Sequence, residues 1–344
     1  MSKVIKNLTI AVLLMLFTVS CTQHKITSGS FIIAFGSCNN NHIENNMWQE
    51  IDQNKPDVWV WGGDIIYADN YDNDMDVIRD DYNALKSSPA YSKFIKYNTI
   101  IGSWDDHDYG LNDGGVEFAK KELSQQLFLD FMGVPSDDSR RKQQGIYSSH
   151  DYFVGKHKIK VIILDTRYFR SALSEDPNPA SDKRYLPNKY GDGTMLGEQQ
   201  WQWLVQELSD SSAEFTVIMS SIQILSPLHG FEKWANMPHE LDKLESLIQT
   251  SQAQNIILIS GDRHISEISK KTIKGLDYPL VDFTSSGLNR ALNAEKIETN
   301  PYRIGDNVVV DNFGLLHFDF SNKTVLMEVR GKNNTVLKSY QQSY

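Results

Sequence analysis

Apolar runs closed by glycine, serine or aspartate recur along the chain, and they set its predicted architecture. Trp59-Val60-Trp61 runs into Gly62-Gly63-Asp64-Ile65-Ile66-Tyr67, which reads as a buried strand of a mostly parallel sheet ending in a turn. Phe31-Ile32-Ile33-Ala34-Phe35 ends in Gly36-Ser37-Cys38. Thr99-Ile100-Ile101 leads through Gly102-Ser103-Trp104 to Asp105-Asp106-His107-Asp108. Asn255-Ile256-Ile257-Leu258-Ile259-Ser260 ends in Gly261-Asp262-Arg263-His264. In open α/β sheets chemistry sits beyond the carboxyl ends of strands, so these four ends are the candidate site.

Between the strands, helical spacing predicts a helix with Met47, Trp48 and Ile51 on one face, ended by Pro56. Others are expected from Tyr82 to Phe94 and from Phe118 to Phe131, the latter with Leu123, Leu127 and Phe131 on its apolar face. Leu196 to Leu208, with Trp201 and Leu204 inward, and Leu241 to Leu247 complete the helices. Tyr152-Phe153-Val154 and Ile159 to Leu164 predict a hairpin turning near Gly155 and Lys156. A strand is expected from Phe215 to Ile224, ending at Gln223. Alternation at Leu280–Phe283, Leu315–Phe320 and Val325–Val329 predicts strands completing a second sheet. Residues 174–194 read as a long surface loop, and the acidic stretch from Asp69 to Asp81 as a solvated lead into a helix.

The 344 residues suit one large α/β domain or two small ones, and 40% hydrophobic content is enough for a sizeable core. No repeat, low-complexity segment or linker interrupts the pattern, so a single catalytic domain is expected over 30–344. The net charge of −10, concentrated in the candidate site loops, argues against a nucleic-acid-binding surface and for cation binding.

Lys3 and Lys6 precede the apolar run from Leu8 to Phe17, and Ser20 precedes Cys21. Residues 1–21 therefore read as an export signal, with Cys21 a lipidated residue or the signal an ordinary cleaved one. Membrane contact through a lipid anchor and a periplasmic or cell-surface location follow from the lipoprotein reading. Of the two cysteines, Cys38 then has no disulfide partner. It is either a small buried hydrophobe or, at a strand end after Gly-Ser, a metal thiolate.

Aspartates, a histidine, a tyrosine and a thiol at strand ends suit cations of two kinds. Carboxylates suit calcium, magnesium and manganese, while thiolate and imidazole suit iron or zinc. Such a mixed set implies two different ions bridged by one carboxylate, able to clamp the oxygens of an in-line phosphoryl displacement. A metal-bound hydroxide would attack, His107 would protonate the leaving alcohol, and Arg167 and Arg263 would hold phosphate oxygens.

Gly36-Ser37-Cys38, Gly63-Asp64-Ile65-Ile66-Tyr67, Trp104-Asp105-Asp106-His107-Asp108 and Gly261-Asp262-Arg263-His264 resemble, in order, the motifs of the alkaline phosphatase D (PhoD-like) family. That family belongs to the calcineurin-like metallophosphoesterases. Leu164-Asp165-Thr166-Arg167 and Gln223 resemble its later motifs, and the likeness runs to Ser285-Ser286-Gly287. The resemblance implies an α/β fold, an αββα sandwich of two mixed β-sheets flanked by helices. It implies a dinuclear or trinuclear centre of Fe3+ and Ca2+, other divalent ions being possible. Asp64 would bridge, Cys38, Tyr67 and His264 would face iron, and Asp106 and Asp262 calcium. His107, Asp64 and Arg167 would be catalytic. Small phosphate esters would bind through Arg167, Arg263, Asn112 and Gln223, with Asp69, Asp105 and Asp108 standing behind the ligands. The stretch before Phe31 leaves no room for the extra N-terminal β-domain of longer members. The expected activity is hydrolysis of phosphate monoesters or diesters. The alternatives are a phospholipase- or nucleotide-type phosphodiesterase and a non-catalytic calcium-binding surface protein.

Overall fold

A computed structural model describes residues 30–68, 74–178, 180–210, 212–292 and 298–344. Residues 1–21, expected to be an export signal with Cys21, and Asp69 and Asp72 of the acidic stretch, lie outside the described residues.

In chain order the strands are β1 (Ser30–Gly36), β2 (Val58–Gly62), β3 (Thr99–Ser103), β4 (Ser148–Val154), β5 (His157–Ile163), β6 (Ser174–Glu175), β7 (Tyr185–Leu186) and β8 (Phe215–Ser220). They continue with β9 (Ile256–Ser260), β10 (Ser266–Lys271), β11 (Leu280–Ser285), β12 (Asn312–Asp319), β13 (Thr324–Gly331) and β14 (Val336–Ser343). The helices are α1 (Met47–Gln53), α2 (Met75–Ser87), α3 (Pro89–Tyr97), α4 (Asp106–Tyr109), α5 (Lys121–Phe131), α6 (Gly197–Leu208) and α7 (Pro238–Thr250).

Two six-stranded sheets carry the fold, ordered β14-β13-β12-β1-β2-β3 and β10-β11-β9-β8-β5-β4. In the first, β1-β2-β3 run parallel to one edge and β12, β13 and β14 pair antiparallel on the other side; in the second, β5-β8-β9-β11 form a parallel centre with β4 and β10 antiparallel at the edges. The sheets face one another across a shared core. Phe35 meets Phe283 edge-on at 4.9 Å between ring centroids, and Phe31 meets Tyr152 at 5.3 Å.

Alternate residues of the same strands face outward under helices, so β2 is buried throughout rather than alternating. Trp59 and Trp61 lie against Trp48 of α1 at 5.5 and 5.3 Å. Ile218 and Leu258 pack with Trp201 and Leu204 of α6 and Leu244 of α7 in a second cluster. The helix–sheet–sheet–helix order is therefore the expected αββα sandwich.

Several expectations needed correction. The helix expected from Tyr82 to Phe94 is two helices, because Pro89 starts α3 and Ser88 is extended. Leu123 is 48% exposed, and Phe128 and Leu129 join Phe131 on the buried face of α5. Strand β8 stops at Ser220, leaving Gln223 in the following loop. The late strands do not share a sheet, β11 lying in one and β12 and β13 in the other.

Candidate metal centre

The register brings the strand ends level. Gly36 is opposite Trp61 and Gly62 opposite Ser103 in one sheet, while Ser220 and Thr284 flank Ser260 in the other. Gly63 then lets two of these ends converge. Its φ is +90°, and a Cβ there would come within 2.4 Å of the Asp105 Cβ. Asp108, in the short helix α4, ties the same loops: its carboxylate accepts from the Asp105 N–H at 2.5 Å and the Ile65 N–H at 3.2 Å.

Four of the expected ligands sit in left-handed backbone: Cys38 (φ 59°), Asp64 (49°), Asp262 (71°) and His264 (56°). A non-glycine residue there costs on the order of 1–3 kcal/mol, a strain retained where the direction of a side chain matters more than local comfort.

The result is a chain of ligands. Cys38, Asp64 and His264 form one group, Asp64, Asp106 and His107 a second, and Asp105, Asp106 and Asp262 a third, with ligand atoms in each group within 4.8 Å of one another. Asp64 belongs to the first two groups and Asp106 to the last two. Asp64 Oδ2 accepts from the Cys38 thiol at 3.3 Å and from the Tyr67 hydroxyl at 3.1 Å. The Tyr67 oxygen is also 3.2 Å from His264 Nε2, so thiol, phenol, imidazole and carboxylate meet at one point. Ser286 holds this end in place, its oxygen lying 3.1 Å from the Cys38 sulfur and accepting the His264 N–H at 2.8 Å.

The electrostatics call for cations. Burial pushes the Cys38 thiol up to about 11 and raises Asp64 and Asp262 well above the usual carboxylate range, with neighbouring acids adding to the effect. Burial also presses on Asp106, but the charges of His107 and Arg167 outweigh it and hold that carboxyl at about 2. Burial, with Arg290 and His107 nearby, pulls His264 down to about 4, leaving the neutral imidazole a metal requires. Asp64 Oδ1, Asp105 Oδ2 and Asp106 Oδ1 are buried with no hydrogen-bond partner. Such orphaned acceptors are costly unless something positive meets them. A sulfur, phenol and imidazole at one end and carboxylate oxygens at the other fit a softer and a harder cation respectively.

Of the expected substrate-binding residues, Arg263 follows Asp262 but turns its guanidinium over Phe231 and to Glu298 at 2.9 Å, and the others are set back. Arg167 is fully buried. Its guanidinium pairs with Asp105 and lies 2.6 Å from Glu232, leaving no face for a phosphate. It acts instead by fixing Asp105, whose Oδ1 also accepts from the Ser221 hydroxyl at 2.6 Å. Gln223 is buried too, its amide donating to Glu267 at 2.9 Å and Thr284 at 2.8 Å in a structural network. Asn112 turns its amide to Asp113 at 3.0 Å, while the Asp113 N–H donates to Asp106 Oδ2 at 2.8 Å.

The structure draws two further residues toward the site. Asp105, expected behind the ligands, presents a free buried oxygen to Asp106 and Asp262. The consecutive aspartates were a legible signal, but which one faced inward depended on α4 starting at Asp106. Arg290 stands 3.9 Å over the Tyr67 ring, and the loop after β11 that places it carries no chemical pattern.

Comparison with known proteins agrees with this geometry. Residues 32–296 match the family model described as PhoD-like phosphatase. Alkaline phosphatase D of Bacillus subtilis (strain 168) is 23% identical over 270 residues, a match covering 70% of this chain but only 44% of that relative. The solved structure of PhoD superposes over 93% of this chain and 69% of its own with a TM-score of 0.70 at 16% identity. GAP50, the anchor in the inner membrane complex of Plasmodium, superposes over 92% of this chain and 89% of its own with a TM-score of 0.58 at 13% identity. At those identities the structures establish the shared fold, and the family model, spanning most of the chain, places this protein in the PhoD-like phosphatase family.

Proposed function

We propose that this chain hydrolyses phosphate esters at a centre of more than one cation. The observation that carries the reading is the sharing of Asp64 between two ligand groups, beside three carboxylate oxygens with no partner. The same fold occurs in a protein described as an anchor, so the fold alone would not argue for catalysis. A calcium-binding surface protein would have no use for the Cys38 thiol, the Tyr67 phenol or His107.

Cys38, Tyr67 and His264 would hold a ferric ion, Asp105, Asp106 and Asp262 calcium, and Asp64 would serve both. The chemistry supplied by cations bound there is Lewis acidity toward phosphoryl oxygens and toward water. Arg263, next to Asp262, would steady a phosphoryl oxygen. His107, stacked on Tyr67 at 4.2 Å between ring centroids, would give a proton to the leaving oxygen.

Metal analysis of purified protein, combined with a panel of phosphate mono- and diesters, tests the reading. Iron and calcium are expected together, with a visible charge-transfer band that neither calcium nor zinc would give. Tyr67→Phe should shift or bleach that band, and Cys38→Ser should lose iron, because a hydroxyl is a far poorer ligand than a thiolate. A fully active, colourless, iron-free preparation would overturn the iron assignment while leaving the hydrolase.

We also propose export and anchoring through Cys21. The charged and apolar pattern of residues 1–21 supports it, and among the described residues no helix is long and apolar enough to cross a membrane. Cys21→Ala is expected to move the protein from the membrane to the soluble fraction; an unchanged distribution would refute the anchor.

A further inference from the structure

The loop from Ser226 to Lys233 and the neighbouring Arg263 bury two N–H donors that have no acceptor, His229 Nε2 and Arg263 Nε. Three basic side chains gather around Phe231. The Arg263 guanidinium lies over its ring at 4.6 Å, His229 Nδ1 accepts its N–H at 3.3 Å, and Lys233 Nζ donates to its carbonyl at 3.0 Å. His229 and Lys233 are 4% and 2% exposed, and the Arg263 side chain 9%.

Their remaining capacity is all donor. Because Nδ1 of His229 accepts, the neutral ring carries its proton on Nε2, and Nε2 is buried without a partner. Arg263 Nε is likewise buried without a partner, its Nη2 being taken by Glu298 at 2.9 Å. Lys233 uses one of its three N–H groups.

The neighbouring acid is already engaged. Glu232 lies 2.6 Å from Arg167 and 3.0 Å from Arg170. Among the described residues no carboxylate lies within ion-pair distance of His229 or Lys233. Burial, then Arg263 and Lys183, pull the Lys233 ammonium down to about 8, against the opposing charge of Glu232. Buried N–H groups without acceptors, among three basic side chains of which only Arg263 holds a carboxylate among the described residues, are costly unless an anion meets them.

We propose that His229, Lys233 and Arg263 form a subsite for a second phosphoryl group of the substrate. Its substrates are then diphosphate esters, cleaved at the terminal phosphate while the inner one rests in this pocket. A tetrahedral phosphoryl group offers several acceptor oxygens to several donors, where a carboxylate offers two. Arg263 stands between Asp262 and His264 in the chain, so the subsite adjoins the centre. The assignment rests on the phosphoester-hydrolase reading for the reaction, although the pocket itself is an anion site without it.

The test compares a nucleoside 5′-diphosphate with the corresponding 5′-monophosphate on the metal-loaded protein. The wild type should favour the diphosphate in kcat/KM, and Lys233→Met should cut that preference about tenfold or more, the scale of one charge-assisted hydrogen bond. His229→Leu should act in the same direction and serves if Lys233→Met does not fold. Equal losses on both nucleotides would make these residues scaffold and overturn the subsite, as would a wild type with no preference.

Calorimetric titration with inorganic pyrophosphate separates this from a failed hydrolase reading. Wild type should bind it about tenfold or more tightly than either variant, whether or not any ester turns over. Equal pyrophosphate affinities would overturn the subsite even in an active enzyme.

Discussion

Asp64→Asn is expected to remove hydrolysis of an aryl phosphate almost completely, by on the order of 10³-fold in kcat/KM, about 4 kcal/mol of transition-state stabilisation. Asp64 is the one carboxylate shared by the Cys38–His264 group and the Asp106–His107 group. An amide keeps the volume but loses the charge, and it sets an N–H where one ligand oxygen is needed. The fold should survive, because replacing a buried carboxylate whose Oδ1 has no partner lowers a desolvation cost.

Thermal melts make the two effects separable. Without added metal the variant should melt no lower than wild type. Added metal should raise Tm in wild type and much less in the variant, since a ligand stabilises only in proportion to its binding. Near-normal turnover with full metal content in Asp64→Asn would remove Asp64 from the bridging position.

Much of this centre was legible because the strands that deliver it are buried on both faces. Continuous apolar runs such as Ile256 to Ile259 mark themselves, and the turn residues that close them point to where side chains emerge. Strands whose character comes from pairing were not legible. β10 is Ser-Glu-Ile-Ser-Lys-Lys and is buried from Ser266 to Ser269, where Glu267 pairs with Arg303 and takes an amide hydrogen bond from Asn300 at 2.8 Å. β14 is an edge strand with mixed polar residues, fixed mainly by its antiparallel register on β13.

The side of the centre that a residue occupies was equally hidden in sequence. Arg167 has the chemistry of a phosphate clamp, yet the fold places it behind Asp105, paired with two acids. Removing it would strand Asp105 as a buried charge and leave Glu232 to Arg170 alone, so loss of activity in an Arg167 variant would not show substrate contact. Sequence pattern reports which residue types reach a strand end. Which of them meet the substrate depends on loops joined across long separations, as Glu232 is to Arg167.

His107→Ala is expected to slow hydrolysis by on the order of 10²–10⁴-fold for alkyl phosphates and far less for nitrophenyl phosphate. A general acid matters in proportion to the basicity of the oxygen it protonates, and nitrophenolate leaves without help. The half-buried imidazole lies against Tyr67, with Asp64 and Asp106 within ligand distance. That position also admits a different role, as a ligand completing the second group. The two roles leave different records. Loss of a ligand lowers metal content and slows every ester alike, whereas loss of an acid keeps the metals and steepens the dependence of rate on leaving-group pKa. Rates for a series of aryl and alkyl phosphates, with metal analysis of the same preparations, decide between them. A uniform loss across the series would take the proton-donor role from His107 and leave the leaving oxygen to be protonated by another group.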